Sequence, residues 1–373
     1  MSALFEPLTL RGTTMRNRIW MSPMMQFAAE PYGPAVGAAT DWHFQHLAAR
    51  IVGGVGLAMM EATAVSPDGR SSEFDLGLWT SAQEHALERI VRFARGNGAA
   101  LGVQLVHAGR KAATGRPWSG PSWDGTHHVE TLWDRVGPSP ESFGTLPLPS
   151  SLSTTEIAEV VADFAAAAAR AARAGVDVLE LHGAHGYLIH QFLSPHANTR
   201  TDEYGGDFDA RARFALEVVD AVRAAWPEDR PLFFRLSATD WLAGDTDDPR
   251  PGWTIEDSVR LAPLLRDHGV DLIDVSTGGI AADAPIPVGP GYQVPFSERL
   301  RETGIPTATV GLVTDPADAD LLVSSGRADA VFLARELLRN PVWAQRAAAE
   351  LGDPVPYPPQ YTRAFTGRSA ARR

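Results

Sequence analysis

Three side chains in one short run could do chemistry together: His182, His185 and Tyr187 in LHGAHGYLIHQFLSP (181–195). They follow an apolar segment, VDVLELHG (176–183), that reads as a buried strand opening into polar residues. Two imidazoles three residues apart can ligate a metal, relay a proton or aim two hydrogen bonds at one oxygen. They can also be packing residues with satisfied nitrogens. The metal reading is weak, because the H-x-x-H pattern comes without carboxylates at the matching strand ends. As donors to one oxygen they would stabilise charge that develops on a carbonyl, and Tyr187, a phenol of ordinary pKa near 10, would be an acid beside them.

Such residues need a scaffold that delivers strand ends to one place. Short β-branched or apolar runs occur at IWMSPM (19–24), VGLAMMEATA (55–64), ALGVQLVHAG (100–109), VDVLELHG (176–183), PLFFRLSA (231–238), VDLIDVST (270–277), IPTATVG (305–311) and ADAVFLA (328–334). Segments of helical period alternate with them, among them SAQEHALERIVRFARGNG, TTEIAEVVADFAAAAARAARAG and TIEDSVRLAPLLRDHG. Ser153 with Glu156 and Thr254 with Asp257 predict capping boxes, and Asp315-Pro316 opens a further helix. Gly98, Gly175, Gly269 and Gly304 close helices before the next strand. Eight βα repeats without a linker predict a (β/α)₈ barrel, a TIM barrel in one domain over residues 1–373, with a tail from 355 to 373.

Composition removes several classes of function. The chain of 373 residues is 44% hydrophobic and 21% charged, with a formal net charge of −12. That balance repels phosphate backbones, so nucleic acid is not an expected partner. There is no cysteine, which excludes disulfides, thiolate metal sites, iron–sulfur clusters and cysteine nucleophiles. No leader pattern and no bilayer-length apolar stretch is visible, so the expected compartment is the cytoplasm, with no membrane partner.

A barrel of this kind carries its site on the loops after the strands. The loop after strand three, 111–152, runs about forty residues against a usual two to six, and carries Trp118, Trp123 and Trp133. Long loops with Gly, Pro and aromatic residues predict a lid over a flat or apolar ligand. The polar residues at strand ends are Met25 and Gln26, Glu61, Gln104 and His107, His182 and His185, Arg235, Ser276, Gly311 and Arg335. Gly311 and Arg335 end strands seven and eight, where barrels hold a phosphate on backbone N–H groups and a charged fork. Gln104 and Arg235 suit the carbonyl and imide edge of a heterocycle across the mouth. His107, His190 and His196 read as structural, and His43 and His46 as ordinary surface or interface residues. Arg110 and Lys111 could meet a phosphate, a nicotinamide partner or nothing.

MSPM, EATAV (61–65), QLVHAGRK (104–111), LHGAHGYLIHQFLSP, NTRTDEYGGDFDARARFALEVVDAVR (198–223), RLSATDW (235–241), GYQVPF (291–296), VGLV (310–313) and ARELLRNP (334–341) together resemble the old yellow enzyme family, from Phe5 to about Phe365. The chain is most similar to the bacterial xenobiotic-reductase, or thermophilic-like, branch. The resemblance implies noncovalent FMN, reduced by NADPH or NADH, and hydride transfer to the β-carbon of an activated alkene such as an enone, enal, maleimide or nitroalkene. It gives Tyr187 the role of proton donor to the α-carbon, and His182 and His185 that of holding the carbonyl oxygen. To the flavin it assigns Ser22, Pro23, Met24, Met25, Ala62, Gln104 and Arg235, and to its phosphate Gly311, Ala334 and Arg335. To the substrate it assigns Phe27, Trp118 and Arg363, the last reaching a neighbouring subunit from QYTRAF and so implying a homodimer. No metal is expected.

Two positions depart from that pattern. Met25 stands where the branch usually has a cysteine beside the flavin, and Phe27 where it often has a tyrosine that bonds substrate. A thioether offers no donor and a phenyl ring no hydroxyl. The other readings are a flavin-binding barrel of weak or different oxidoreductase activity, and a metal-dependent barrel hydrolase. The iron–sulfur relatives that act on dienoyl-CoA or amines are excluded by the missing cysteines.

Overall fold

A computed structural model of the chain describes residues 1–118, 133–242 and 247–365. Eight parallel strands form a closed ring: β1 (Ile19–Met21), β2 (Leu57–Ala64), β3 (Ala100–Val106), β4 (Val178–Gly183), β5 (Leu232–Ser237), β6 (Leu272–Ser276), β7 (Thr307–Thr309) and β8 (Ala330–Leu333). Closure is made by β1, which pairs with β8 through Trp20 and Phe332 and with β2 through Trp20 and Leu57. Every residue of these strands is buried, since one face lines the barrel interior and the other meets the surrounding helices. The eight strand runs read from the sequence are these eight strands, some shorter than expected: strand one stops at Met21, and residues 22–27 continue as extended chain.

The outer helices begin and end as their sequences dictate. Ser153 and Glu156 bond reciprocally at the start of the helix Thr154–Ala174, and Thr254 and Asp257 do the same before Ile255–Asp267. Asp315 accepts from the N–H groups of Ala317 and Asp318 before Pro316–Ser324. Each such cap is worth about 1 kcal/mol. The helix Thr154–Ala174 ends on Gly175 at φ +84°, a left-handed C-cap that releases the chain into β4. Among the described residues no helix is long and apolar enough to cross a membrane.

Two apolar clusters separate inside from outside. The larger lies between sheet and helices; the smaller fills the barrel below the site with Trp20, Met59, Phe233, Leu272 and Phe332, capped by Leu8, Leu10 and Met15 of an N-terminal hairpin. The long loop after β3 contains a short parallel pair, Val136–Gly137 with Ser150–Ser151. Trp123 lies outside the described residues. His43 and His46, expected on the surface, are buried at 1% and 4% exposure. Their helix, Asp41–Val52, turns them toward β2, where His43 Nε2 lies 3.6 Å from Glu61.

Candidate active site

The mouth of the barrel is assembled from the ends of β1 to β6. His182 sits in the last turn of β4, and the chain then makes a left-handed step at His185 (φ +57°) and Gly186 (φ +73°) before the short helix Leu188–Leu193. That step brings the imidazoles together, with His185 Nδ1 3.3 Å from His182 Nε2. Ala184 N–H donates to His182 Nδ1, so the His182 proton resides on Nε2 and points at His185. His185 then carries its proton on Nε2, 2.7 Å from Ser276 Oγ at the end of β6, and Ser276 donates onward to Gln293. Both rings are held neutral, pulled far below the ordinary imidazole pKa by burial and then by the Arg235 charge. The two rings are therefore brought together, with one hydrogen spent between them. An oxygen seated there accepts from both only if Ser276 turns its O–H toward His185 Nε2, so that Nδ1 carries the proton.

The Tyr187 ring stands edge-on to His182 with centroids 4.8 Å apart, and burial pushes its pKa up to about 12, so the phenol keeps its proton at any ordinary pH. Lys111 lies 5.6 Å from the same ring and donates to the carbonyls of His185 (2.9 Å) and Gly279 (3.1 Å). Burial, then the neighbouring Arg110, lowers its pKa to about 7. Arg110 is likewise spent on backbone, at Ile280 O and the carbonyls of Glu141 and Ser142. Neither cation faces the phosphate end; they tie the loops after β4 and β6 to the start of the long loop. The two loops touch backbone to backbone. A Cβ on Gly186 would lie 2.2 Å from Gly279 O, and one on Gly279 2.6 Å from His185 Cα.

Below the histidines, Gln104 on β3 donates to Glu180 on β4 at 2.7 Å. Arg235 on β5 lies 3.1 Å from Asp274 on β6, as an ion pair without hydrogen-bond alignment. Gln104 and Arg235 are both buried, and Arg235 also lines the cavity on the far side of the mouth.

At the far side is a cavity of about 140 Å³, lined by Arg235, Ser276, Gly311, Ala334 and Arg335 together with Tyr292, Gln293, Glu336 and Arg339. Gly311 has φ +127°, and a Cβ there would crowd Gln293 and the Tyr292 ring at 3.1 Å. Ala334 has φ −107°, so an alanine here avoids the left-handed conformation that would call for glycine. Three guanidinium groups, those of Arg235, Arg335 and Arg339, line this space, the last bonded to Glu336 at 2.9 Å, an arrangement suited to an anion.

The extended segment after β1 closes the remaining side. Ser22 is buried with an unpartnered hydroxyl. β2 shifts register between Met60 and Ala62, a bulge at Glu61, and this aims the Glu61 carboxyl at Gln26 N–H (2.8 Å). Burial first of all raises that carboxyl's pKa well above the usual range. Glu61 thereby fixes the strained residue Phe27 (φ +52°), whose ring meets Trp118 edge-on at 5.6 Å. Ala62 pairs with Gln104 across the strands. Met24 and Met25 are half-buried along the same segment. Arg363 is exposed, in the short helix Thr362–Phe365; the tail before it, Pro356–Gln360, lines a cavity with Arg16, Ile51 and Asn97 at the C-terminal ends of the first two outer helices, away from this chain's own mouth.

The tail before Arg363 stands apart from the mouth that the other residues assigned to flavin and substrate surround, and His43 and His46 lie on an outer helix, with His43 facing Glu61 of β2. Site residues missed in the sequence are Glu180, Asp274, Lys111 as a loop tie, and Tyr292, Gln293 and Arg339 at the anion end. Glu180 and Asp274 had a signal: each stands two residues before a polar strand-end residue, His182 and Ser276, and so shares its interior-facing phase. His190, read as structural, holds Gly186 N–H on Nδ1 and faces Asp240 at 2.8 Å from Nε2. No group of three or more ionisable side chains suited to a metal exists among the described residues.

Residues 3–353 match the model of the NADH:flavin oxidoreductase / NADH oxidase family. An NADPH dehydrogenase of Geobacillus thermodenitrificans is 44% identical over 366 residues, 98% of this chain and 99% of the relative. Morphinone reductase in complex with tetrahydroNAD superposes with a TM-score of 0.73 at 28% identity, over 96% of this chain and 94% of that one. The old yellow enzyme homologue of Zymomonas mobilis gives a TM-score of 0.76 at 25% identity, over 95% and 94%.

Proposed function

The chain belongs to the NADH:flavin oxidoreductase / NADH oxidase family, and from that premise we propose that it is an ene-reductase acting on activated alkenes: enones, enals, maleimides or nitroalkenes. It is an FMN-dependent NAD(P)H oxidoreductase of the old yellow enzyme type. The observation that carries the ene-reductase reading is a hydrogen-bonding His182–His185 pair with a protonated Tyr187 beside it, on the same mouth as the arginine-lined cavity.

The residues present fit FMN. The cavity at Gly311, Ala334 and Arg335 suits its phosphate, the amide of Gln104 and the guanidinium of Arg235 its pyrimidine edge, and the orphaned Ser22 hydroxyl, with Pro23, Met24, Met25 and Ala62, the remaining rim. When bound there, FMN would supply the hydride chemistry between NAD(P)H and the alkene. His182 and His185 hold the substrate's carbonyl oxygen and stabilise the charge gathering there. Tyr187 gives its proton to the α-carbon, which a phenol that remains protonated to about pH 12 can do throughout the working range. Phe27 and Trp118 form the apolar wall against which the substrate packs. Arg363, turned away from its own mouth, serves the site of a second copy in a homodimer. The enzyme acts in the cytoplasm, with neither nucleic acid nor membrane as partner.

The test is an anaerobic two-step experiment on purified protein. NADPH bleaches the flavin band, and cyclohexenone or N-methylmaleimide restores it. A flavin that bleaches and is reoxidised by no activated alkene overturns the ene-reductase reading and leaves a flavoprotein with another oxidant.

A further inference from the structure

Four consecutive strands each send one side chain into the barrel just beneath the mouth: Gln104 from β3, Glu180 from β4, Arg235 from β5 and Asp274 from β6. All four are buried, Glu180 and Asp274 completely. The set holds two carboxyl groups and one guanidinium. Its internal bonds do not use up its polar atoms: beyond Gln104 to Glu180 at 2.7 Å, Glu180 Oε2 and both Asp274 oxygens have no hydrogen-bond partner. Two ionised carboxylates against one cation would leave a net negative charge in the dry interior, at a desolvation cost of several kcal/mol. One proton removes it.

We propose that Glu180 and Asp274 form a carboxyl pair that holds a single proton and, by keeping the cluster around Arg235 electrically neutral, sets the reduction potential of the flavin bound above it. They are positioning residues, acting through Arg235 and Gln104, and the inference rests on the FMN reading above. Two-electron reduction adds negative charge to the flavin, so a carboxylate beneath it opposes reduction and a bare guanidinium favours it. Burial raises both carboxyl groups; Glu180 is raised further by the Asp274 charge, whereas Arg235 pulls each down. The charged groups that act on Glu180 are Asp274 and Arg235, Gln104 faces it from β3, and His182 in the ring above stays neutral. Glu180 holds the proton while Asp274 stays paired with Arg235.

The pair is tested by a double-mutant cycle on the holoenzyme. In Glu180→Gln the charge is unchanged, because an amide replaces a neutral acid. In Asp274→Asn, Glu180 releases its proton and becomes the counter-ion of Arg235, so the charge is again restored. Each single variant therefore leaves the flavin midpoint potential close to that of the parent. The double variant strands Arg235 and favours reduced flavin at least about tenfold, which is about 30 mV for a two-electron couple. Two single shifts of similar size that add up in the double variant mean two ionised carboxylates and overturn the proposal. In the apoprotein at neutral pH, infrared spectroscopy should find a protonated carboxyl C=O stretch that disappears in Glu180→Gln. Its absence from the parent overturns the proposal without any variant. A protein that takes up no FMN overturns the flavin reading and, with it, the link to potential, while the apoprotein spectrum still decides the shared proton.

Discussion

The floor and the mouth of the barrel are built by the same strands, two residues apart, and have opposite characters. On β5, Phe233 stacks on Trp20 at the floor, and the next interior-facing residue is Arg235. β4 runs Val178, Glu180, His182 upward, and β6 runs Leu272, Asp274, Ser276. Each step of two residues climbs about 6.6 Å toward the loops. In that distance the lining changes from aromatic and aliphatic side chains to groups with orphaned polar atoms. The floor is where burial stabilises the fold at about 25 cal/mol per Å² of apolar surface. The mouth gives part of that back, because buried carboxyl, imidazole and guanidinium groups each cost desolvation. Activity is thus carried on a platform that the hairpin, Trp20, Phe233 and Phe332 hold rigid from below.

Substitutions should separate the two regions. The largest effect belongs to the mouth: Tyr187→Phe should slow reoxidation of the reduced flavin by enone roughly 10²- to 10⁴-fold, the usual worth of a positioned general acid. Reduction by NADPH and the unfolding free energy should stay near parental values, the latter within about 0.5 kcal/mol. An unchanged reoxidation rate would assign the proton to another donor. Next comes the floor. Phe233→Ala should lower stability in denaturant titrations by about 3–5 kcal/mol while the folded fraction keeps its flavin. Flavin loss at unaltered stability would break the division between floor and mouth. The most gradual effect concerns Lys111, whose pKa is about 7 in the folded chain against 10.5 when exposed. Between those values the unfolded chain binds a proton that the folded one does not. Stability from this group therefore rises with pH across that window, by at most about 1.4 kcal/mol per unit. Lys111→Met should flatten that slope, and a slope that persists would place the proton elsewhere.

The scaffold was readable because its signals are local. Eight β-branched runs, capping boxes at Ser153 and Thr254, and the glycines that close helices depend only on neighbours in the chain, and each is found where expected. That Gly311 and Arg335 line one cavity was readable for a similar reason, since each stands two residues past its strand, seven and eight respectively. What escaped depends on groups the sequence does not display. Lys111 and Arg110 bind backbone carbonyls, whose positions exist only after folding. The burial of His43 and His46 is set by which face of Asp41–Val52 meets β2, and that helix mixes polar and apolar residues on the face it buries. The aim of Glu61 depends on a bulge with no composition signal of its own.

The backbone contact between Gly186 and Gly279 restricts how this catalyst can be altered. Loops on barrel enzymes are often regarded as exchangeable parts, each tunable alone on a constant frame. Here the loops after β4 and β6 share a surface that admits no side chain, and the Lys111 side-chain nitrogen spans both. A segment transplanted into either position inherits the curvature of the other. Redesign of substrate preference at this end must therefore treat residues 185–187 and 278–280 as one unit of exchange, glycines included.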